Sequence, residues 1–180
     1  FAVNNQQFVQ SDRLATLLKR PAEEVLRNGN NREKDVALDA VARFGISVPM
    51  SLVTSVISET TPDRTVNLAL KVLDNNPKAN VDMFTRIATN EKMTADLRIT
   101  AAHSLARSGH SSALDMVKGL IGSFNDDQKK VLAGTFSSSE QGAAMLSTLY
   151  GEKQLDSKIF SLAAAERIQQ ARADDPAAAE

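Results

Sequence analysis

The clearest hydrophobic pattern in the chain is a stripe of apolar residues between Asp96 and Gly109. Asp96 is suited to cap the start of a helix, and Gly109 is suited to a left-handed helix terminator. Between them, apolar residues recur at spacings of three and four, which places them on one helical face: Leu97, Ala101, Ala102 and Leu105. The segment therefore predicts an amphipathic helix of about three turns.

Four other segments carry a comparable stripe, so the pattern indicates a repeat. Its members are Ala37, Leu38 and Val41 before Gly45; Leu68, Ala69 and Val72 before Asn76; Leu132, Ala133 and Phe136; and Leu162, Ala165 and Ile168. Five copies exceed the minimum of about three that stacked helical repeats need.

A second apolar pattern follows the first four stripes, with apolar residues at positions i, i+1, i+4 and i+5. These positions cover an arc of roughly 140°, which is typical of a core-facing helix. The quartets begin at 52, 83, 116 and 145, and so lie 31, 33 and 29 residues apart. They are Leu52, Val53, Val56 and Ile57; Met83, Phe84, Ile87 and Ala88; Met116, Val117, Leu120 and Ile121; and Met145, Leu146, Leu149 and Tyr150.

The alternation of the two patterns predicts an all-α protein, an α-solenoid of about five stacked helical hairpins, because one pair alone cannot bury its stripe. Turn-forming residues separate the helices at 45–49, 75–77, 109–112 and 137–141. The predicted units span 32–62, 63–94, 95–126, 127–155 and an incomplete 156–180. A partial leading repeat covers 1–31, with one helix around Leu14 to Leu18 and another from Pro21 to Leu26. The start at Phe1 and the helix-start signal Asp174-Asp175-Pro176 favour a piece of a larger protein.

An acid recurs two residues before a base at the start of three predicted units, in Asp96 and Arg98, Asp127 and Lys129, and Asp156 and Lys158. The acid suits the positive end of the helix. The base does not, so we expect it to pair with an acid of the adjoining repeat. In the unit 63–94, Arg64 is the substitute base.

The run from Asp96 to Leu105, with Asp, Arg, paired Ala and Leu, closed by Gly109, resembles the second-helix signature of HEAT repeats. The resemblance covers roughly residues 32–170 and implies the compact bacterial variety, since the unit of about 31 residues is short for this family. It implies a right-handed α–α superhelix with these helices on its concave side. Tetratricopeptide repeats are the nearest rival, but their Trp- and Tyr-bearing pattern is missing.

A narrower resemblance lies towards the C-terminal end. Leu149 to Leu155, Ile159-Phe160 and Ala165 to Ile168 are similar to the helical region that precedes the c-type haem domain in large secreted proteins of planctomycete-type bacteria. This resemblance implies a spacer or docking role and a periplasmic or secreted location. The haem chemistry would belong to another domain, because this sequence contains no cysteine.

Charge and composition reduce the number of functional classes that the sequence allows. Lys and Arg total 21 against 22 Asp and Glu, which gives a net charge of −1 and no excess of cations for nucleic acid or anionic lipid. No apolar run reaches the ~18–20 residues that cross a bilayer. A HEAT-like DNA glycosylase or lyase is the alternative function. It fits poorly, because a base-flipping groove needs basic and aromatic side chains, whereas the chain has no Trp and its one tyrosine, Tyr150, falls in a predicted core stripe.

The candidate chemical groups all have simpler structural interpretations. His103 and His110 lack further ligands for a metal, and Ser137 to Ser139 lack the frame of a nucleophile and are interpreted as a polar turn. Three acid pairs are interpreted as helix caps, Glu23-Glu24, Asp126-Asp127 and Asp174-Asp175. Met83, Met116 and Met145 are interpreted as core packing, and Gly119, Gly122 and Gly134 as close helix packing.

These observations predict a non-catalytic interaction or spacer module without a cofactor. Its partner would be a protein or a neighbouring domain of the same chain, bound through the outward positions of the helices that the HEAT resemblance places on the concave side. Their mixed charges favour a polypeptide over nucleic acid. The predicted partner-binding residues are Asp39, Arg43, Lys71, Asp74, His103, Arg107 and Arg167.

Overall fold

The computed structural model describes residues 2–173, with side chains for residues 13–170, and in that part of the chain it contains helices and no strand. The prediction of an all-α protein is confirmed. The described residues form ten α-helices and two 3-10 turns, Pro77–Asn80 and Ser157–Ile159. The helices are α1 (Ala2–Asn28), α2 (Asn31–Phe44), α3 (Met50–Ser55), α4 (Asp63–Leu73), α5 (Val81–Thr89), α6 (Ala95–Arg107), α7 (Ala113–Ser123), α8 (Asp126–Phe136), α9 (Glu140–Gly151) and α10 (Leu162–Ala173).

The chain forms two compact units that divide between Asn76 and Pro77. In the first unit, α2 packs against α1 and α4, and the short α3 packs against the same two helices. In the second unit, α6 contacts α5, α7, α8 and α9, while α9 packs against α10. The division falls inside the segment 63–94, which was predicted to be one helical hairpin.

The N-terminal helix differs from the prediction of two helices separated at Pro21. Helix α1 continues through Pro21, which lies exposed within it. A proline inside a helix loses one backbone hydrogen bond, but packing outweighs this loss here because Ala22 and Leu26, directly after it, are buried where α1 packs on α2. Glu23 and Glu24 therefore lie inside a helix, and their prediction as helix caps is wrong.

At other helix ends, residues that favour capping or a left-handed backbone occupy the positions where those roles are needed. Asn30 and Glu33 form a reciprocal capping box at the start of α2, and Asn125 and Gln128 form another at the start of α8. Asp126 and Asp127 lie at the start of α8 but in its first turn, since the cap residue is Asn125 and not the predicted acid pair. Asp174 and Asp175 lie outside the described residues. Two glycines adopt the predicted left-handed conformation, with φ of 61° at Gly45 and 69° at Gly109.

The first helix of each predicted pair buries the same three positions, i, i+1 and i+4, with i at 37, 69, 101 and 132. In α4 the predicted Ala69 and Val72 are buried and the predicted Leu68 is only half-buried, while the buried Leu70 and Leu73 complete the equivalent set. In α10 the buried positions are Ala164 and Ile168, while the predicted Leu162 is exposed. The complete sets are Ala37, Leu38 and Val41; Ala69, Leu70 and Leu73; Ala101, Ala102 and Leu105; and Leu132, Ala133 and Phe136.

The quartet pattern buries the same two positions in and directly after the second helices, α3, α5, α7 and α9, with Val56 following the end of α3 as its C-cap. Position i+1 is fully buried in all four, as Val53, Phe84, Val117 and Leu146, and position i+4 is buried in all four, as Val56, Ile87, Leu120 and Leu149. The methionines at position i are half-buried. Position i+5 is buried in three of the four quartets, but Tyr150 is 41% exposed, so its placement in the core was wrong.

The predicted pairing of bases with acids of the adjoining repeat holds in one case and fails in another. Arg64 of α4 lies 3.1 Å from Asp35 of α2, as expected. Arg98 instead donates to the backbone carbonyl of Ala88 in α5, at 3.0 Å, and its guanidinium lies over the Phe124 ring. The N-cap of α6 is Thr94 and not the predicted Asp96, which lies in the first turn.

The glycines of α7 and α8 do not mark close helix packing. A Cβ atom added to Gly119, Gly122 or Gly134 would meet no neighbouring atom within 4 Å, and all three residues are exposed. The prediction of close packing at these glycines is wrong, because they lie on the faces opposite the buried stripes.

Candidate functional site

The predicted partner-binding residues of the first unit lie on α2 and at the end of α4. Asp39 and Arg43, one turn apart on α2, form an ion pair of 2.9 Å at the surface. Lys71 is exposed in the last turn of α4, and half-buried Asp74 is the C-cap residue of that helix. This unit therefore presents acidic and basic groups together.

In the second unit, two of the three predicted residues contact the same turn. His103 of α6 places Nε2 2.8 Å from Oγ of Ser139, and Arg167 of α10 donates from Nη1 to the Ser137 carbonyl at 2.8 Å. Arg107 is exposed in the last turn of α6. The turn between α8 and α9 is therefore held by side chains from two other helices of the unit.

Ser139 is the centre of this arrangement because it is the N-cap of α9. Its Oγ accepts the Gly142 N–H at 3.1 Å while it bonds to His103. The His103 ring packs at 54° against the ring of Phe136, the last residue of α8, with centroids 5.3 Å apart. The imidazole thus contacts both the end of α8 and the start of α9.

An open cavity of about 300 Å³ lies beside this turn. It contains one cation, Arg167, and one carboxylate, Glu140, so its charge is mixed. Hydroxyl, amide, carboxylate and guanidinium groups together can exchange hydrogen bonds with the polar groups of a polypeptide. The lining residues are Ser137, Ser138, Ser139, Glu140, Ala143, Arg167 and Gln170.

The Ser139–His103 contact has the length of a hydrogen bond between a nucleophile and its base. The role of Ser139 as the N-cap of α9 accounts for this contact in structural terms. A hydroxyl that already accepts the Gly142 N–H is fixed at a helix start, and the bond to His103 ties that start to α6. Among the described side chains, no group of three or more His, Asp or Glu residues could hold a metal ion. His110 accepts the Ser112 backbone N–H through Nδ1, within its own loop.

Each unit also contains an apolar cavity that the sequence did not indicate. In the first unit, a cavity of about 310 Å³ lies between α1 and α2, lined by residues that include Leu18, Pro21 and Val36. In the second unit, a cavity of about 480 Å³ lies between α9 and α10. Within the described part of the chain, none of the helices has the length and apolar character needed to span a membrane.

Comparison with known proteins gives no relative from which a function could be transferred. No protein-family model matches the sequence, and no curated protein or solved structure matches it at a significant level.

Proposed function

We propose that this chain is a non-catalytic protein–protein interaction or spacer module, built as a HEAT-like α-solenoid of about five helical hairpins. It acts within a larger multidomain protein, and its partner is another protein or a neighbouring domain of the same chain. The second resemblance adds that this larger protein contains a c-type haem domain elsewhere.

The repeated burial of equivalent positions carries this proposal. The sets that begin at 37, 69, 101 and 132 are 32, 32 and 31 residues apart, and every member is buried. A constant period with an equivalent core position in each copy is typical of stacked repeats, in which neighbours bury each other's apolar faces. Such arrays commonly serve as extended binding surfaces.

The polar groups on the predicted face favour a polypeptide partner. Asp39 and Arg43 neutralise each other, and the cavity beside Arg167 also contains Glu140. A phosphate backbone requires a run of cations, which neither of these sites supplies. The apolar cavity beside Tyr150 has no Lys or Arg in its lining, so it also lacks the cations of a DNA glycosylase groove.

Charge reversal on the predicted face tests the interaction. Lys71→Glu and Arg107→Glu change exposed residues of the two units, and Lys78→Glu is the matched control because it makes a similar charge change at another exposed position. We expect affinity capture with the wild type and Lys78→Glu to retain a protein that one or both face variants lose. Equal capture by all four chains would favour the spacer role. Tight, salt-dependent binding of DNA would overturn both roles and favour the glycosylase alternative.

A further inference from the structure

The dipeptide Asn28-Gly29 lies at the junction between α1 and α2, and it is the only Asn-Gly sequence in the chain. Asn28 is the exposed last residue of α1, and Gly29 follows it in a half-buried position. An asparagine followed by glycine can react with its own backbone, because glycine has no side chain to hinder the approach of its amide nitrogen. The junction is therefore a candidate site of chemical modification.

The packing of the junction favours glycine at position 29. A Cβ atom on Gly29 would lie 2.6 Å from the Val25 carbonyl oxygen and 3.1 Å from Oε2 of Glu33. The first obstacle is backbone, so a side chain here would displace the end of α1. The second is held in place, because Oε2 of Glu33 accepts the Asn30 N–H at 2.9 Å in the capping box of α2. The fold thus favours, directly after Asn28, the residue that hinders the reaction least.

Hydrogen bonds at the end of α1 hold both reacting groups in the folded chain. The Gly29 N–H donates to the Val25 carbonyl at 2.8 Å, and Nδ2 of Asn28 donates to Oε1 of Glu24 at 2.6 Å. The Gly29 nitrogen must lose its hydrogen bond before it can attack the Asn28 side chain. The reaction therefore requires local opening of the last turn, and helix ends open more readily than helix centres.

The packing of α1 on α2 opposes this opening. Leu26, in the same turn as Asn28, is 1% exposed, and Ala22, one turn earlier, is 6% exposed. Opening that reaches Leu26 would expose apolar surface to water, which is unfavourable. The frequency of opening therefore depends on how firmly Leu26 is packed.

We propose that Asn28 is a self-modification site, which is converted to aspartate and isoaspartate when the last turn of α1 opens. In the open turn, the Gly29 nitrogen loses its proton and bonds to Cγ of Asn28. The Cγ–Nδ2 bond breaks, and ammonia leaves with a proton in place of the one that Gly29 lost. Water then opens the resulting cyclic imide. Cleavage between the nitrogen and Cγ gives aspartate, and cleavage between the nitrogen and the main-chain carbonyl carbon gives isoaspartate, whose backbone runs through Cγ.

Neither product allows the original turn to form again. An aspartate at position 28 places a carboxylate where the Asn28 amide now donates to Glu24, and like charges one turn apart repel each other. It also places negative charge at the C-terminus of α1, which the helix dipole disfavours. Isoaspartate adds a methylene group to the backbone just before the N-cap residue Asn30. The reaction thus turns a transient opening into a permanent loosening of the junction, independently of the proposed interaction function.

Mass spectrometry of the whole chain during incubation at mildly alkaline pH tests the site. Replacement of an NH2 group by OH changes the mass, and cleavage after lysine isolates residues 20–34. The reference is a synthetic peptide of the same residues with blocked ends, in which no packing on α2 holds the turn. We expect conversion at Asn28 to be at least about tenfold slower in the whole chain than in the peptide, because the turn is mostly closed. Asn28→Gln is the control that assigns the signal, because its longer side chain would require a larger ring and should not convert.

Two variants test whether the closed turn controls the rate. Leu26→Ala, with its circular dichroism spectrum still helical, should bring the rate close to that of the peptide, because it removes the packing that opposes opening. Glu24→Ala should accelerate conversion by about twofold, as expected for the loss of one exposed hydrogen bond within a helix. Glu23→Ala is the matched control for Glu24→Ala and should not have this effect, because Glu23 pairs with Arg27.

A further pair of variants tests the consequence of the reaction. Asn28→Asp reproduces the aspartate product and should lower the melting temperature by about 1–4 °C. Asn31→Asp is the matched control, because it makes the same change at the exposed first residue of α2, where the helix dipole favours a carboxylate. Its melting temperature should equal or exceed that of the wild type.

Three results would overturn the inference. They are equal rates in the whole chain and in the peptide, no conversion of the whole chain over many half-lives of the peptide, and equal melting temperatures of Asn28→Asp and Asn31→Asp. Each leaves the interaction module in place, because capture through Lys71 or Arg107 does not depend on the chemistry of Asn28.

Discussion

Thr65 of α4 donates a hydrogen bond of 2.6 Å from Oγ1 to Oδ1 of Asp35 on α2. Thr65 is 1% exposed, and the second carboxylate oxygen of Asp35 lies 3.1 Å from Nε of Arg64. One carboxylate thus joins two helices through a buried neutral partner and an exposed charged one. Their contributions differ, because a buried hydroxyl loses its hydration on folding whereas an exposed guanidinium keeps most of its own.

We expect Asp35→Ala to lower the free energy of unfolding by about 1–3 kcal/mol, because the Thr65 hydroxyl would stay buried without its acceptor. The double variant Asp35→Ala/Thr65→Val should recover part of this loss, since it removes the hydroxyl as well. Urea unfolding of the single and double variants measures the coupling.

Arg64→Ala is the control for the same carboxylate. The Arg64 side chain is 82% exposed, so its removal should cost at most about 1 kcal/mol. A loss for Arg64→Ala as large as that for Asp35→Ala would contradict the dominance of the buried hydrogen bond.

The core of this fold could be predicted from the sequence to within one residue in most helices. The predicted stripes in α2, α6 and α8 are buried, although α6 also buries Ile99 and Ala106 outside its stripe. In α4 the apolar residues Val66, Leu68, Ala69 and Leu70 are too closely spaced to define a single face. Packing of α4 against α2 and α3 leaves Leu68 half-buried and buries the other apolar positions, and this selection depends on tertiary contacts. The buried apolar residues are Val66, Ala69, Leu70, Val72 and Leu73.

The arrangement around Ser139 could not be predicted, although His103 was identified as an outward position and Ser139 as part of a turn. Their contact joins residues far apart in sequence and depends on how α6 and α9 pack. No local pattern encodes such a contact. The exposure of Tyr150 was missed because its quartet is complete in sequence, and no local pattern shows which positions of an apolar stripe the neighbouring helices leave uncovered.

Asp156 caps the 3-10 turn Ser157–Ile159 with its carboxylate. Its carboxylate accepts the backbone N–H of Lys158 at 2.9 Å, and this bond, together with the nearby Lys158 charge and the Ser157 hydroxyl, lowers the pKa of Asp156 below its ordinary value of 3.8. The resulting stabilisation is complete above the ordinary pKa and is lost as the pH falls through the lower folded-state pKa. We expect the thermal stability advantage of the wild type over Asp156→Asn to shrink between about pH 7 and about pH 3. An advantage of equal size at both ends of this range would contradict the assignment.

Arg98 acts as a cap for a neighbouring helix. Its Nε donates to the carbonyl of Ala88, one of the last carbonyls of α5, which lack partners within their own helix. We expect Arg98→Met, which keeps much of the side-chain length but removes the donor, to destabilise the protein by about 1–2 kcal/mol in thermal or urea unfolding. Arg43→Met is the matched control, because Arg43 pairs only within an exposed turn of α2 and should contribute less than about 0.5 kcal/mol. Equal effects of the two variants would exclude a capping role for Arg98.

Gly142 allows the start of α9 to approach the end of α8. A Cβ atom at this buried position would collide with the backbone carbonyl of Phe136 and also meet Oγ of Ser139, which caps α9 and bonds to His103. Because the obstacle is backbone, it cannot rotate away. We therefore expect Gly142→Ala to lower the free energy of unfolding by about 1–3 kcal/mol, measured by urea unfolding.

The same substitution at Gly119 should have the opposite sign. Gly119 is exposed in the middle of α7, and its added Cβ would meet no neighbouring atom within 4 Å. There the main effect is the better helix propensity of alanine, so Gly119→Ala should stabilise the protein by about 0.5–1 kcal/mol. If Gly142→Ala were also stabilising, α8 and α9 could move apart without lowering the free energy of unfolding. The close approach that presents Ser139 to His103 would then not be a fixed feature of the fold.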